Sequence, residues 1–431
     1  MENSRLVAYN ALLKVEKNSS YSNLVLDSYL SKAELDTRDK SFVSALFYGV
    51  LERQITIDYQ LSLYLSKPLK KLKPEVLVIL RLAAYQILFM EKIPDSAAVN
   101  ECIKISKKTG CSFASGLINA VLRKVVANGL KLPENENSCE YLSVLYSCPL
   151  WLIEKWIAEY GFDDTTGILR SSLGSADTFI RVNTTKVTAD ELIEILKSED
   201  VSAEKTHLDN ALLITLGGKD IEKLNSFKKG LFHVQDLASQ ICAATLSPKE
   251  NDRIFDLCSA PGGKAYTIAE LMKNKGEVYC FDLYEHRVSL IMSGAKRLSL
   301  GIIKGKTGDA SVFNESIGLA DRVLCDVPCS GLGIIRRKPE IKNKNPDDLK
   351  ELPEIQYSIL TNAKRYVKAG GVLVYSTCTL SYDENEGVCE KFLHSNPDFK
   401  VIEQNGSKYR TLMPHKDKSD GFFIACFERE K

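Results

Sequence analysis

Five short runs in the C-terminal half of the chain, most of them apolar, each end at an acid or a small-residue turn, with helix-forming sequence between them. This punctuation predicts a parallel α/β sheet. The runs are Phe255-Asp256-Leu257, Glu277 to Phe281, Ile302 to Thr307, Asp321 to Cys325 and Gly371 to Tyr375. The last two flank a helical stretch at about Leu349 to Val367, which makes a strand-helix-strand unit. A right-handed crossover brings the carboxyl ends of its strands to one sheet edge, where open α/β folds bind ligands. Asp326-Val327-Pro328-Cys329-Ser330-Gly331 and Tyr375-Ser376-Thr377-Cys378-Thr379 therefore meet there, and Cys329 and Cys378 are expected to be neighbours.

The first run leads into Cys258-Ser259-Ala260-Pro261-Gly262-Gly263-Lys264, ahead of a helix beginning near Ala265. Glycine permits positive φ and close approach of the backbone to a ligand, so Gly262 and Gly263 suit a cofactor seat. The spacing is neither G-x-G-x-x-G nor that of a P-loop, which disfavours a nucleoside triphosphate. Asp282 follows the second strand, where such folds hold ribose hydroxyls. Asp309, after Gly308, is placed to accept a hydrogen bond from an adenine amino group. Lys264 is placed either to hold a carboxylate or to face water.

Taken together, the CSAPGGK, DVPCSG and STCTL segments, with Asn385-Glu386 and with Val234-Gln235-Asp236 leading into Ala238-Ser239-Gln240, resemble the RNA cytosine-5 methyltransferases. The resemblance runs from about Arg181 to the C-terminus. It implies S-adenosylmethionine as cofactor, held by Cys258 to Lys264, Asp282, Asp309 and Asp326, with no metal. It also implies Cys378 as nucleophile, Cys329 as the thiol that assists release of product, and Asp326 as a contact to the cytosine ring.

The chemistry demands such a set. Carbon 5 of cytosine becomes nucleophilic enough for methylation once a thiolate has added to carbon 6. A free thiol, with a pKa near ~8.5, needs positive charge, a helix N-terminus or a base nearby to ionise at neutral pH. The residues alone do not choose between the thiols, because DNA cytosine methyltransferases place the attacking cysteine in their Pro-Cys segment, which here is Cys329.

Residues 1–131 hold 19 Lys and Arg against 12 Asp and Glu, a net of +7, which leaves −6 on the remainder of a chain of net charge +1. A basic front region suits a polyanion. It reads as helix over Arg5 to Val15, Thr37 to Glu52, Pro74 to Met90, Asp95 to Thr109 and Phe113 to Val126. Asp36-Thr37-Arg38-Asp39-Lys40 with Phe42, Leu46, Tyr48-Gly49 and Leu51-Glu52-Arg53 is similar to the NusB family of helical RNA-binding domains. Lys67-Pro68-Leu69-Lys70-Lys71-Leu72-Lys73-Pro74 reads as a basic loop able to lie against phosphates. The polar stretch 130–140 reads as a linker, followed by a short helical connector in which Trp151 and Trp156 are core.

A small α+β unit follows, with strands at Phe179 to Asn183 and Ala211 to Leu216 and a helix at Thr188 to Ser198. Arg181 and Asn183 are candidate RNA contacts. The expected fold is thus a Rossmann-like methyltransferase domain (233–431) preceded by a NusB-like domain (1–132), a helical linker (133–177) and the α+β subdomain (178–232).

The N-terminus, Met1-Glu2-Asn3-Ser4-Arg5, carries no signal sequence, and Val76 to Met90 is too short and too polar to span a membrane. Twelve cysteines without regular short spacing indicate neither a disulfide framework nor a zinc ribbon. A cytoplasmic monomer that binds RNA, not DNA or membrane, is expected. A helical front joined to this catalytic region resembles small-subunit ribosomal RNA methyltransferases, which implies 16S ribosomal RNA as substrate. The alternatives are another RNA such as transfer RNA, and a non-catalytic RNA-binding assembly factor; the intact acids, glycines and both cysteines argue against the latter.

Overall fold

A computed structural model describes residues 3–18 and 22–430, in two compact units. Met1 and Glu2 of the N-terminal reading lie outside the described residues. The first unit comprises residues 1–173 with 338–344. Its helices include Ser4–Asn18, Ser22–Lys32, Thr37–Glu52, Gln54–Ser62, Pro74–Phe89, Asp95–Lys108 and Ser115–Asn128.

Pro74–Phe89 is the central helix of this unit. Its residues Val76 to Ala84 are buried without a break, as expected of a helix that is apolar all round. Arg81, the one charge in that run, is paired at 2.7 Å with both Asp58 and Glu16. Close packing explains Gly49, where a Cβ would fall 2.0 Å from the Tyr85 ring. The four lysines of the basic loop, Lys67, Lys70, Lys71 and Lys73, are exposed around a 3₁₀ turn. Lys73 Nζ lies 4.9 Å from the centroid of the exposed Phe113 ring.

The expected short connector is longer than its sequence implied. Cys139–Tyr146 is followed by a helix over Leu150–Ser171, which kinks at Gly161, where φ is +79°. Trp156 is fully buried and Trp151 half-buried. Among the described residues no helix is long and apolar enough to cross a membrane.

The second unit holds two sheets. In the smaller, β1 (Thr178–Val182), β2 (Ser202–Lys205), β3 (Ala211–Thr215) and β4 (Phe232–Val234) lie antiparallel in the order β2-β3-β1-β4. The helix Ala189–Ser198 starts at a reciprocal cap, in which the Thr188 hydroxyl faces the Glu191 amide and the Glu191 carboxylate faces the Thr188 amide.

The larger sheet contains β5 (Arg253–Asp256), β6 (Glu277–Asp282), β7 (Ile303–Thr307), β8 (Ala320–Asp326), β9 (Val367–Thr377), β10 (Phe399–Val401), β11 (Arg410–Leu412) and β12 (Phe422–Arg429). Its order is β10-β12-β9-β8-β5-β6-β7, with β11 also on β12. From β9 to β7 all pairs are parallel, as the sequence predicts; β12, β10 and β11 add an antiparallel flank. Ile254, Val278, Leu324 and Val374 are fully buried, each stabilising the fold by about 1.5–3 kcal/mol relative to an exposed position. The chain leaves β5 for β6 on one side and reaches β8 on the other, which creates a crevice at the carboxyl ends of β5 and β8.

Arg181 and Asn183 correct the sequence expectation. Neither faces solvent: Arg181 donates to Glu270 at 3.3 Å and to the Asp209 carbonyl at 2.8 Å. The Asn183 amide donates to the Gly230 and Leu298 carbonyls at 2.9 and 2.8 Å. The bonds to Glu270 and Leu298 join the small sheet to the helices of the large one. β1 is buried on both faces from Phe179 to Val182, and Asn183 directly after it is buried too, so their polar groups need protein partners.

Candidate active site

Strands β8 and β9 run parallel with Asp326 opposite Ser376, so the segments that follow them leave the sheet side by side. Cys329 and Cys378 meet with their sulfurs 3.3 Å apart, both half-buried. The bond to Cys329 holds the Cys378 thiol below its ordinary pKa; burial opposes this and the Lys264 charge assists. Cys329 is pushed well above the ordinary value by the same bond, then by burial. The two sulfurs thus share one proton, with the anion favoured on Cys378.

Asp326 sits beneath this pair with both oxygens engaged. The Ser376 hydroxyl donates to one at 2.8 Å and Lys264 Nζ to the other at 2.7 Å. Lys264 therefore holds a carboxylate, and its ammonium also lies 5.0 Å from the Phe422 ring centroid. Burial works against the Lys264 charge, yet the neighbouring Asp326 outweighs it and keeps the amine above its usual range.

The two cysteine loops are tied together behind the sulfurs. Ser330 and Thr379 share a hydroxyl bond of 2.6 Å, and the Leu332 amide donates to the same threonine at 3.3 Å. Buried Glu384 accepts from the Ser330 amide and from Gln356 Nε2, both at 2.9 Å, while Gln356 also donates to the Pro328 carbonyl at 3.0 Å. Asn385 accepts from the Thr377 hydroxyl at 2.5 Å and donates to the Thr379 carbonyl at 3.0 Å. The Gly333 amide donates to the Cys378 carbonyl at 3.0 Å, and the Gly421 amide to the Gly333 carbonyl at 2.9 Å. A Cβ on Gly333 would fall 1.9 Å from the Gly421 oxygen, so this approach requires glycine.

Arg337 clamps the same loops. Its guanidinium donates to Asp420 at 2.8 and 2.7 Å and to Asp236 at 2.9 Å. Burial, then the charge of Asp236, raises the Asp420 carboxyl to about 6 against the pull of Arg337.

The remaining predicted positions line the same edge. Asp256 ends β5 fully buried, its carboxyl pushed up to about 7 chiefly by burial. The chain then turns through Cys258 to Pro261 into the helix Gly263–Leu271. Gly262 has φ +107°, and a Cβ there would meet the Tyr266 hydroxyl at 2.5 Å. Asp282 ends β6 and accepts from the Tyr284 amide at 3.2 Å, with Arg287 Nη1 3.3 Å from its other oxygen. Asp309 is exposed next to it, as the Gly308 amide donates to the Asp282 carbonyl at 3.0 Å; Ser311 fills one Asp309 oxygen through its amide at 2.8 Å and its hydroxyl at 2.6 Å.

The fold thus brings every residue predicted for catalysis or cofactor binding to one edge, whereas Arg181 and Asn183 lie buried away from it. Glu384, Gln356, Thr379, Arg337 and Asp420 had no role assigned from sequence. A cluster of buried acids and amides directly after a strand-end cysteine is the signal that marks Glu384 and Asn385.

This edge has known counterparts. Residues 243–428 match the family model described as 16S rRNA methyltransferase RsmB/F, residues 2–127 the NusB family, and residues 148–219 the RsmF/B-like ferredoxin-like domain. The chain is 39% identical to the "Probable ribosomal RNA small subunit methyltransferase B" of Bacillus subtilis, across 99% of this chain and 98% of that protein. It is 33% identical to the protein of the same description from Synechocystis, across 100% of both. Among solved structures it is similar to PH0851, with a TM-score of 0.83 and 28% identity, covering 100% of this chain and 99% of that one. It is also similar to NSun6 from Pyrococcus horikoshii solved with SFG, with a TM-score of 0.61 and 25% identity, covering 67% and 100%. The chain belongs to the RsmB/F family of 16S ribosomal RNA methyltransferases and is an RNA methyltransferase.

Proposed function

We propose that the protein methylates carbon 5 of a specific cytosine in 16S ribosomal RNA through a covalent bond between Cys378 and the base, working as a cytoplasmic monomer. The observation that carries this reading is the sulfur pair 3.3 Å apart at the sheet edge, where the shared hydrogen bond and the Lys264 charge favour the anion on Cys378. A general thiol store needs no such asymmetry; a nucleophile does.

Cys378 Sγ adds to carbon 6 of the ring and raises the electron density at carbon 5. Asp326, held by Ser376 and Lys264, is oriented to contact the ring. A base takes the proton from carbon 5 as the bond between Cys378 and carbon 6 breaks and its electron pair leaves on the thiolate, and Cys329 assists that release with a hydrogen bond to the departing sulfur.

S-adenosylmethionine fits the donor set beside this pair, and the relative solved with SFG, an analogue of it, supports the assignment. Cys258 to Lys264 would hold it at the start of the helix Gly263–Leu271, where a Cβ at Gly262 would fill the turn. Asp282 would take the ribose hydroxyls, Asp309 the adenine amino group, and Asp326 would border the methyl group. When bound, it supplies a methyl carbon activated by a sulfonium.

The boundaries 1–132, 133–177, 178–232 and 233–431 belong to the same proposal, with the NusB-like helices and their basic loop as RNA-positioning surface. Bisulfite sequencing of 16S ribosomal RNA from cells carrying the native protein or Cys378→Ala tests it. One cytosine protected by the native protein alone is expected; a protected cytosine that persists with Cys378→Ala would contradict it.

A further inference from the structure

We propose that the Cys329 and Cys378 pair is also a modification site for hydroperoxides, closing to a reversible disulfide. The chemistry of the pair stands on its geometry, and only its consequence for methyl transfer rests on the proposed function. Two sulfurs 3.3 Å apart need approach by only roughly 1.3 Å to reach the ~2.05 Å of a disulfide. Each cysteine is half-buried at the open sheet edge and not sealed in the core, which leaves it within reach of a molecule as small as hydrogen peroxide.

Peroxide selects a thiolate that is accessible and has a resolving thiol alongside. Eight of the twelve cysteines are buried. Cys139 and Cys258 are half-exposed like the pair, but burial pushes both thiols up, and no second hydrogen-bonded pair of cysteine sulfurs occurs among the described residues. Cys378 alone of the twelve combines exposure, a depressed pKa and a sulfur neighbour.

In the first step the Cys378 thiolate attacks one peroxide oxygen. A sulfur–oxygen bond forms, the oxygen–oxygen bond breaks, and hydroxide leaves to be protonated to water. The peroxide is reduced and Cys378 becomes a sulfenic acid. The Cys329 sulfur then attacks Cys378, the sulfur–oxygen bond breaks, and a second water leaves with the Cys329 proton. Dithiothreitol reverses the product by thiol exchange. The disulfide also spares Cys378 from further oxidation to sulfinic acid, which thiols do not reduce.

The test treats the full-length protein with hydrogen peroxide, alkylates the remaining thiols with iodoacetamide, and maps the unreduced peptides by mass spectrometry, without RNA or methyl donor. The expected product joins the Cys329 and Cys378 peptides with loss of two hydrogens. Methyl transfer to RNA should fall at least tenfold and return with dithiothreitol. Cys329→Ser should give sulfinic acid at Cys378 that dithiothreitol leaves in place. Both cysteines still alkylatable when other thiols have been oxidised, or Cys378 joined to a different cysteine, would overturn the proposal. A Cys329–Cys378 link with undiminished methyl transfer would support this modification and refute Cys378 as nucleophile.

Discussion

Removing the Cys329 thiol should raise the pKa of Cys378 and cut its thiolate fraction about tenfold at neutral pH. The bond in question spans 3.3 Å between sulfurs and is the leading reason that Cys378 lies below an ordinary thiol. A hydrogen bond to a charged group stabilises it by about 1.5–3 kcal/mol, and a sulfur donor belongs at the weak end. At about 1.36 kcal/mol per factor of ten, the lower figure is roughly a tenfold change in the ionisation equilibrium. The thiolate is the charged form, so losing its donor disfavours it and moves ionisation to higher pH. At any pH below both midpoints the reactive fraction falls about tenfold. The assay is the pH dependence of iodoacetamide labelling at Cys378, read by mass spectrometry of that peptide in native protein, Cys329→Ala and Cys329→Ser. Serine keeps a donor and should restore part of the shift. An unchanged or lowered midpoint in Cys329→Ala would refute the reasoning.

Three further outcomes follow from the same edge and from the basic loop. Asp326→Asn leaves Lys264, only 12% exposed, without its counter-charge; loss of one partner of a buried pair costs about 3–5 kcal/mol, and the 28% exposure of Asp326 puts this near the lower figure. Thermal unfolding should register it clearly, whereas Lys264→Met should cost less because Asp326 keeps its bond to Ser376 and some water. Asp282→Ala should weaken S-adenosylmethionine binding about tenfold by calorimetry, the loss of one charge-assisted bond of about 1.5 kcal/mol, and unchanged affinity would remove it from the seat. Replacing Lys67, Lys70, Lys71 and Lys73 with alanine should weaken RNA binding and flatten its salt dependence, by about 0.7 in the log–log slope for each phosphate no longer neutralised; an unaltered slope would take the loop off the RNA.

The inner parallel strands β5, β6, β8 and β9 were legible because burial on both faces makes each largely apolar up to the turn that ends it; Glu277–Asp282 and Thr37–Glu52 fall where periodicity puts them. Edges were not. β2 is Ser202–Lys205, short, polar and mostly exposed, and has no alternation to read. β12 is apolar nearly throughout, but nothing local says that it returns antiparallel against β9. Proximity of the two thiols followed from topology, since adjacent parallel strands share an edge. The direction of the proton between them did not, because it depends on a 3.3 Å sulfur–sulfur approach and on Lys264, more than 100 residues before Cys378. Arg181 and Asn183 failed for a related reason: a polar residue on a strand reads the same from sequence whether it meets water or a buried carboxylate such as Glu270.

The most direct measurement is the site of the covalent link in Cys329→Ala incubated with 16S ribosomal RNA and S-adenosylmethionine. With product release impaired, a protein–RNA species should accumulate on a denaturing gel, and peptide mapping should locate the nucleotide on the Cys378 sulfur. If the species instead accumulates in Cys378→Ala, with the nucleotide on Cys329, the roles of the two thiols are reversed and the central claim falls.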